Sequence, residues 1–483
     1  MELYTNPIIN SDYSDPDVIR VGDDFFMIAS SFNHTPGVPI LHSKDLVNWE
    51  IINYVFERIP FEKFNDVHHG HGAWAPAIRY HNETFYVVIP FVDEGIYISS
   101  TKDIYGKWSD LWCLIDDCGI IDPCPIWDED KCYLAVAFAK SRKGFNSMIG
   151  LYEVSPDLKI KKTDYQIVYD GHNDNPTIEG PKLYKHDDYY YIMAPAGSVK
   201  TGWQTCLRSK NIYGPYESKI VQMQNDTPIN GPHQGALVDY DGKFAFIHFQ
   251  DKGCLGRVIC LQPVTWIDDW PICGDVRDER LAGSPFVSHE YLLEPYPKYN
   301  IPTCDDFKNK ISLVWQTPAN KIDNLYEVND CLKLYCINKS LDNLGSYPYT
   351  FLQKLIYDSF IAQTRVVFDL NENDETGLCV MGSKYAYISF KKINSKVMLY
   401  VKEGSFDGND SVVYEENYNS NEADLNIIYD NNSYYFCLNG KKLPFSFKAY
   451  PGRWIGTKIG IFARGENNGY AKYSYFDVKK INK

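Results

Sequence analysis

The apolar residues of the first 250 positions fall into short runs that keep returning. Phe25-Phe26-Met27-Ile28, Phe85-Tyr86-Val87-Val88, Tyr133-Leu134-Ala135-Val136, Tyr189-Tyr190-Tyr191-Ile192 and Phe244-Ala245-Phe246-Ile247 are aromatic or branched, as strands are. Each follows a polar turn: Gly22-Asp23-Asp24, His81-Asn82-Glu83, Asp128-Glu129-Asp130, His186-Asp187-Asp188 and Asp241-Gly242. Ahead of each turn stands a shorter strand opened by a break: Asp15-Pro16, Ala75-Pro76, Asp122-Pro123, Glu179-Gly180-Pro181 and Gly231-Pro232-His233. The unit recurs every ~50 to 60 residues, which suits one four-stranded sheet per repeat in a radial array. The prediction is a five-bladed β-propeller over residues 1–295. A TIM barrel is disfavoured, because no amphipathic helices separate the strands.

Beyond Gly283 the repeat stops, and proline and charge accumulate through Pro285, Pro295, Pro297, Pro302 and Asp305-Asp306. A linker is placed at 296–309. From residue 310 to 483 strand-like runs alternate with Asn/Gly turns such as Asn439-Gly440; Thr364-Arg365-Val366-Val367-Phe368 and Ala386-Tyr387-Ile388-Ser389-Phe390 are examples. This stretch predicts an accessory β-sandwich of jelly-roll, concanavalin-like type, so the fold class is all-β. No carboxylate there repeats the Asp-Pro setting, and no chemistry is assigned to it.

Composition narrows the partners. A formal charge of −15 argues against nucleic acid and anionic membranes, while a neutral polymer or small neutral molecule meets no such repulsion. The 38 Tyr suit strands whose wet edges grip sugars. Thirteen scattered Cys without a Cys-x-x-Cys pair read as buried thiols in a reducing compartment. No signal peptide is visible at Met-Glu-Leu-Tyr-Thr-Asn-Pro, so a cytoplasmic location is expected, although a secreted form with its signal trimmed would read the same. No run reaches the ~18 apolar residues of a membrane span. The sequence leaves homo-oligomerisation open.

In a propeller the first strand of every blade lines the central axis, so the residues just before it converge at one rim. In chain order those positions hold Asp15, Ala75, Asp122, Glu179 and His233. Each Asp-Pro could simply be a turn, but three acids in register within a repeat suggest chemistry. Cleaving a glycosidic bond takes one carboxylic acid to protonate the leaving oxygen and one carboxylate to activate water or attack the sugar. A third carboxylate nearby keeps the acid protonated by like-charge repulsion. Phe32 and Trp74 are candidate platforms for the apolar face of a sugar, with Trp203 a further one; plain core aromatics are the alternative.

Asn6-Pro7 with Tyr13-Ser14-Asp15-Pro16-Asp17, His69-Gly70-His71-Gly72-Ala73-Trp74-Ala75-Pro76, Ile121-Asp122-Pro123, Ile178-Glu179-Gly180-Pro181, Gly231-Pro232-His233-Gln234-Gly235 and Gly256-Arg257-Val258 together resemble glycoside hydrolase family 43 over roughly residues 5 to 280. The C-terminal part resembles the sandwich domain of that family's β-xylosidase branch. The resemblance implies an inverting five-bladed enzyme with Asp15 as general base, Glu179 as general acid and Asp122 orienting the acid and tuning its pKa. It further implies that Arg257 contacts sugar hydroxyls and that His233 faces a structural calcium through water, a hydrogen-bonded core histidine being the alternative reading. His69 and His71 are explained by loop polarity.

The expected activity is release of β-D-xylose from the non-reducing ends of xylooligosaccharides, with no cofactor needed for the chemistry. The alternative is an α-L-arabinofuranosidase, in the same pocket or instead. A reading of another class is a non-catalytic carbohydrate-binding propeller.

Overall fold

The computed structural model describes residues 2–278, 282–339, 343–448, 450–466 and 468–482. The five repeats are five four-stranded antiparallel meanders. Blade I runs Asp17–Val21, Asp24–Ile28, Gly37–Ser43 and Glu50–Phe56. Blade II is Ala77–His81, Thr84–Phe91, Gly95–Thr101 and Trp112–Ile115. Blade III is Ile120–Asp128, Lys131–Phe138, Met148–Val154 and Gln166–Asp170. Blade IV is Lys182–His186, Tyr189–Ala196, Trp203–Ser209 and Glu217–Met223. Blade V is His233–Tyr240, Lys243–Asp251, Arg257–Ile267 and Trp270–Cys273. The turns explain the hairpins: Asn82-Glu83 and Asp241-Gly242 hold both residues at positive φ (48° and 58°, 47° and 77°), as a type I′ turn requires.

The runs are apolar throughout because both faces of each blade are buried. Phe25 and Met27 join a cluster with Ala236, Val238, Ala245 and Ile247 of blade V. Phe26 and Ile28, pointing the other way, join Ile78, Phe85 and Val87 of blade II. Each Phe, Met, Ile or Val among them contributes about 1.5–3 kcal/mol when fully buried. The ring is fastened at its ends. Ile9 exchanges both backbone hydrogen bonds with Ile259, and the Asn6 amide donates to the Leu261 carbonyl at 2.9 Å.

The sandwich stacks a six-stranded sheet (Phe351–Lys354, Lys458–Arg464, Glu375–Met381, Lys384–Ile393, Lys396–Ser405, Ser411–Tyr418) on a larger one centred on Phe360–Asp369 and Tyr470–Lys480. Phe360, Ala362, Val366 and Phe368 are buried in alternation, the period-two signature of a strand with one face on a core. The expected linker 296–309 needs a correction. Cys304–Asp305 pairs with Asp477 and Phe476 of the last strand, so two residues of ladder lie inside a stretch whose prolines and aspartates read as connection. The two parts also share a seam. Thr35 and Thr317 exchange backbone hydrogen bonds at 3.0 and 2.8 Å, and Leu255 and Val258 of the propeller belong to the sandwich's own core.

Candidate active site

The hairpin-closing pairs Val21–Asp24, His81–Thr84, Asp128–Lys131, His186–Tyr189 and Tyr240–Lys243 put the five blades in one register. Six residues ahead of each closing position stand Asp15, Ala75, Asp122, Gly180 and Gln234. Four of these five have positive φ: 58°, 54°, 59° and 26° for Asp15, Asp122, Gly180 and Gln234. Three are not glycine, and each such residue costs about 1–3 kcal/mol, strain that gathers where function needs it. The sequence register is thus corrected in two blades: Glu179 and His233 sit one residue upstream of the equivalent position. That shared offset brings them together, His233 Nε2 lying 3.7 Å from Glu179 Oε1.

Asp15, Asp122 and Glu179 all line one cavity of about 270 Å³. Phe32, Trp74 and Arg257 line it too; Trp203 and His233 do not. Trp203 packs in the core between blades III and IV, its indole donating to Asn175 Oδ1 at 3.0 Å. Its Thr-Gly-Trp setting gave no sign of which face it would take.

The three acids differ in their partners. Asp15 accepts from Ser30 Oγ at 2.5 Å and from Arg257 Nη1 at 3.0 Å. Asp122 accepts from the Gly180 amide at 2.8 Å, so it grips the backbone of the residue that follows Glu179. Among the described residues Glu179 has no ion pair to Lys or Arg. Burial raises its pKa, the Asp122 charge raises it further, and Arg257 opposes both. Burial also raises Asp122, with the Gly180 amide opposing and Asp15 adding to the rise. The Glu179 side chain is 40% exposed and lines the cavity. A ligand seated there would displace the remaining water and so strengthen the upward direction.

The walls are aromatic. Phe32 (φ 52°) exchanges backbone hydrogen bonds with Ala73 at 2.8 and 3.0 Å. At Gly72 (φ 90°) a Cβ would come within 2.3 Å of the Phe32 carbonyl oxygen, so this glycine lets the two loops meet. Trp74, tied by its indole N–H to the Gly70 carbonyl at 3.0 Å, has its ring 6.3 Å from Phe32. His69 of the same loop stacks on Phe406 of the sandwich, centroids 3.4 Å apart, and His71 pairs with Asp93 at 2.5 Å.

Several wall residues escaped the sequence reading: Gln234, Asn146, Lys140 and Trp454. Gln234 could have been found by the hairpin register. Trp454 could not, since it comes from the sandwich, 380 positions beyond Trp74, and sets its ring 6.4 Å from that residue's at 63°.

A directly held metal does not fit. Among the described residues no three His, Cys, Asp or Glu converge on a metal position. Burial, with Arg257 second, pushes His233 down to about 3, leaving a neutral ring whose buried Nδ1 has no hydrogen-bond partner among the described residues. That nitrogen can meet a water, the way in which a hydrated calcium could address it.

A propeller that brings three carboxyl groups and aromatic walls into one sugar-sized hollow has the parts of a glycosidase. Comparison with known proteins makes the assignment. Residues 4–271 match the model of glycosyl hydrolases family 43, and residues 304–479 match the β-xylosidase C-terminal concanavalin A-like domain. The chain belongs to glycosyl hydrolase family 43 and is a glycoside hydrolase. A protein of Xylanibacter ruminicola that carries a beta-xylosidase name is 33% identical over 471 residues, 95% of this chain and 85% of its own. A "Xylosidase/arabinosidase" of Butyrivibrio fibrisolvens is 27% identical and aligns over 100% of both chains. The solved Bacteroides ovatus structure titled "Xyloglucan PUL GH43B" superposes with a TM-score of 0.84 at 25% identity, covering 99% of this chain and 100% of that one. No helix among the described residues is long and apolar enough to cross a membrane.

Proposed function

We propose that the chain is an inverting exo-β-xylosidase acting on xylooligosaccharides. The observation that carries this reading is the unequal partnering of three acids around one small cavity. Glu179, with no ion pair to Lys or Arg among the described residues and raised by burial and Asp122, is suited to hold a proton and give it to the leaving oxygen. Asp15, fixed by Ser30 and Arg257, takes the proton from a water whose oxygen attacks the anomeric carbon on the opposite face. The bond from that carbon to the leaving oxygen breaks, and the anomer is inverted. Asp122 does no proton transfer itself; it holds the Gly180 amide and keeps Glu179 protonated. Phe32 and Trp74 take the apolar faces of the sugar, and Arg257 its hydroxyls.

The exo assignment is supported by cavity size. A volume of about 270 Å³ is below the ~300–1,000 Å³ of pockets for drug-sized ligands. It suits an end sugar rather than a threaded chain. An α-L-arabinofuranosidase in the same cavity is the second reading, because a relative aligned end to end carries both names. Buried thiols at Cys124, Cys206, Cys260 and Cys379 support a reducing compartment as the place of work.

The test is hydrolysis of aryl β-D-xyloside, aryl α-L-arabinofuranoside and xylobiose, with the first-formed anomer read by NMR. α-Xylose appearing first supports the proposal. β-Xylose first refutes inversion, and turnover of the arabinofuranoside alone replaces the substrate.

A further inference from the structure

Asp12 stands three residues ahead of Asp15 and is 4% exposed, but it is not part of the cavity wall. Its two carboxylate oxygens point to different parts of the molecule. Oδ1 accepts from the backbone amide of Arg257 at 2.9 Å, the residue whose guanidinium holds Asp15. Oδ2 accepts from the backbone amide of Gly456 at 2.9 Å, in the sandwich loop that presents Trp454.

The packing around this carboxylate leaves no slack. A Cβ at Gly256 (φ 80°) would lie 2.4 Å from Asp12 Oδ1, and one at Gly456 would lie 2.8 Å from the Gly256 amide nitrogen. Thr457 donates its amide to the Cys254 carbonyl at 2.8 Å, so the two loops run directly against each other. At its other edge the sandwich loop rests Arg453 on Gly70, where a Cβ would meet that side chain at 2.6 Å. Trp454 itself is held at φ 66°, a conformation an indole-bearing residue adopts only when its surroundings impose it.

We propose that Asp12 is a positioning residue that couples the sandwich to the chemistry: one carboxylate fixes both the backbone of Arg257 and the turn that carries Trp454. A buried acid that accepts two amide hydrogens of separate loops makes their positions mutually dependent. The sandwich therefore shapes the outer side of the cavity through Trp454 and steadies the Asp15–Arg257 pair through the same side chain. The functional half of this inference rests on the cavity being the sugar site; the coupling of the two loops does not.

Hydrogen–deuterium exchange on the full chain reads the coupling without substrate. In Asp12→Asn the amides of segments 254–258 and 453–457 are expected to exchange faster together, by about tenfold or more, the equivalent of one lost charged hydrogen bond. Should that variant not accumulate as folded protein, Gly456→Ala makes the same test from the sandwich side while keeping the carboxylate. On xylotriose Asp12→Asn is expected to raise KM and lower kcat, whereas Trp454→Ala raises KM more than it lowers kcat. In the double variant KM should rise no further than in Asp12→Asn alone. Faster exchange in only one segment or in neither overturns the coupling. Unchanged kinetics beside faster exchange, or a fully additive double variant, overturns its functional half. A wild-type enzyme idle on xylosides and arabinofuranosides alike would instead overturn the activity, with the exchange result still deciding the role of Asp12.

Discussion

Two buried carboxylate sites, one at the propeller rim and one inside the sandwich, show how partners decide what burial does to an acid. In the sandwich, Glu375 accepts from Arg464 Nε and Nη2 at 3.0 and 2.7 Å, from Lys402 Nζ at 2.7 Å and from Ser389 Oγ at 2.7 Å. Burial alone would raise its pKa, but Arg464 and Lys402 outweigh that and hold it well below the usual carboxylate range. At the rim, Glu179 has a neutral histidine at 3.7 Å and, among the described residues, no ion pair to Lys or Arg; burial and Asp122 outweigh the opposing Arg257, and its pKa rises. The first arrangement fixes a charge for structure. The second favours the protonated form, as the proposed general acid requires.

The largest expected effect breaks the rim. Glu179→Gln should lower kcat on xylooligosaccharides by about 10²–10⁴-fold, the usual weight of a general acid, with the fold kept by circular dichroism. Asp15→Asn should fall as far while still binding xylose by calorimetry. Near-wild-type turnover in either removes that residue from the mechanism.

Next comes the sandwich. Arg464→Met leaves Glu375 buried with a single cation and should destabilise the protein by about 3–5 kcal/mol in urea unfolding. The kcat of the molecules still folded should stay near wild type. A large loss of kcat without loss of stability would mean that the two sites are not separate in kind.

The pH dependence sharpens the contrast by its sign. For Glu179 the folded pKa lies above the unfolded one, so its contribution to stability is complete below the ordinary glutamate pKa. That contribution is lost as pH rises through the raised value. Glu375 has a depressed folded pKa, and its contribution is lost as pH falls through it. Glu179→Gln should therefore melt higher than wild type in alkaline buffer and no higher in acid buffer. Activity should fall on the alkaline side as Glu179 loses its proton. Asp122→Asn, by removing one source of the rise, should move that limb to lower pH in a kcat/KM profile; an unmoved limb would show that Asp122 has no part in tuning the acid.

The smallest expected effects concern the walls. Trp454→Ala should raise KM for xylotriose about 2- to 10-fold, the range of an aromatic contact worth about 0.5–1.5 kcal/mol. Trp203→Phe, which touches the core and Asn175 rather than the cavity, should change KM by less than Trp454→Ala does. The reverse order would return Trp203 to the site.

The repeat that gives the blades was legible in the sequence because strand, turn and break recur through local chemistry: aromatic runs, Asn/Asp/Gly turns and proline breaks act within a few residues of themselves. Asp15, Asp122 and Glu179 were legible for the same reason, each beside a break in its own repeat. What the chain by itself could not fix was which neighbour a side chain would meet. The one-residue offset of Glu179 and His233 depends on hairpin register, Trp203 turned inward because Asn175 offered its indole an acceptor, and Trp454 reached the cavity across the seam that Asp12 ties. Local pattern follows from forces between near residues. The wall of a site is made from residues far apart in the chain, and only packing decides which of them arrive.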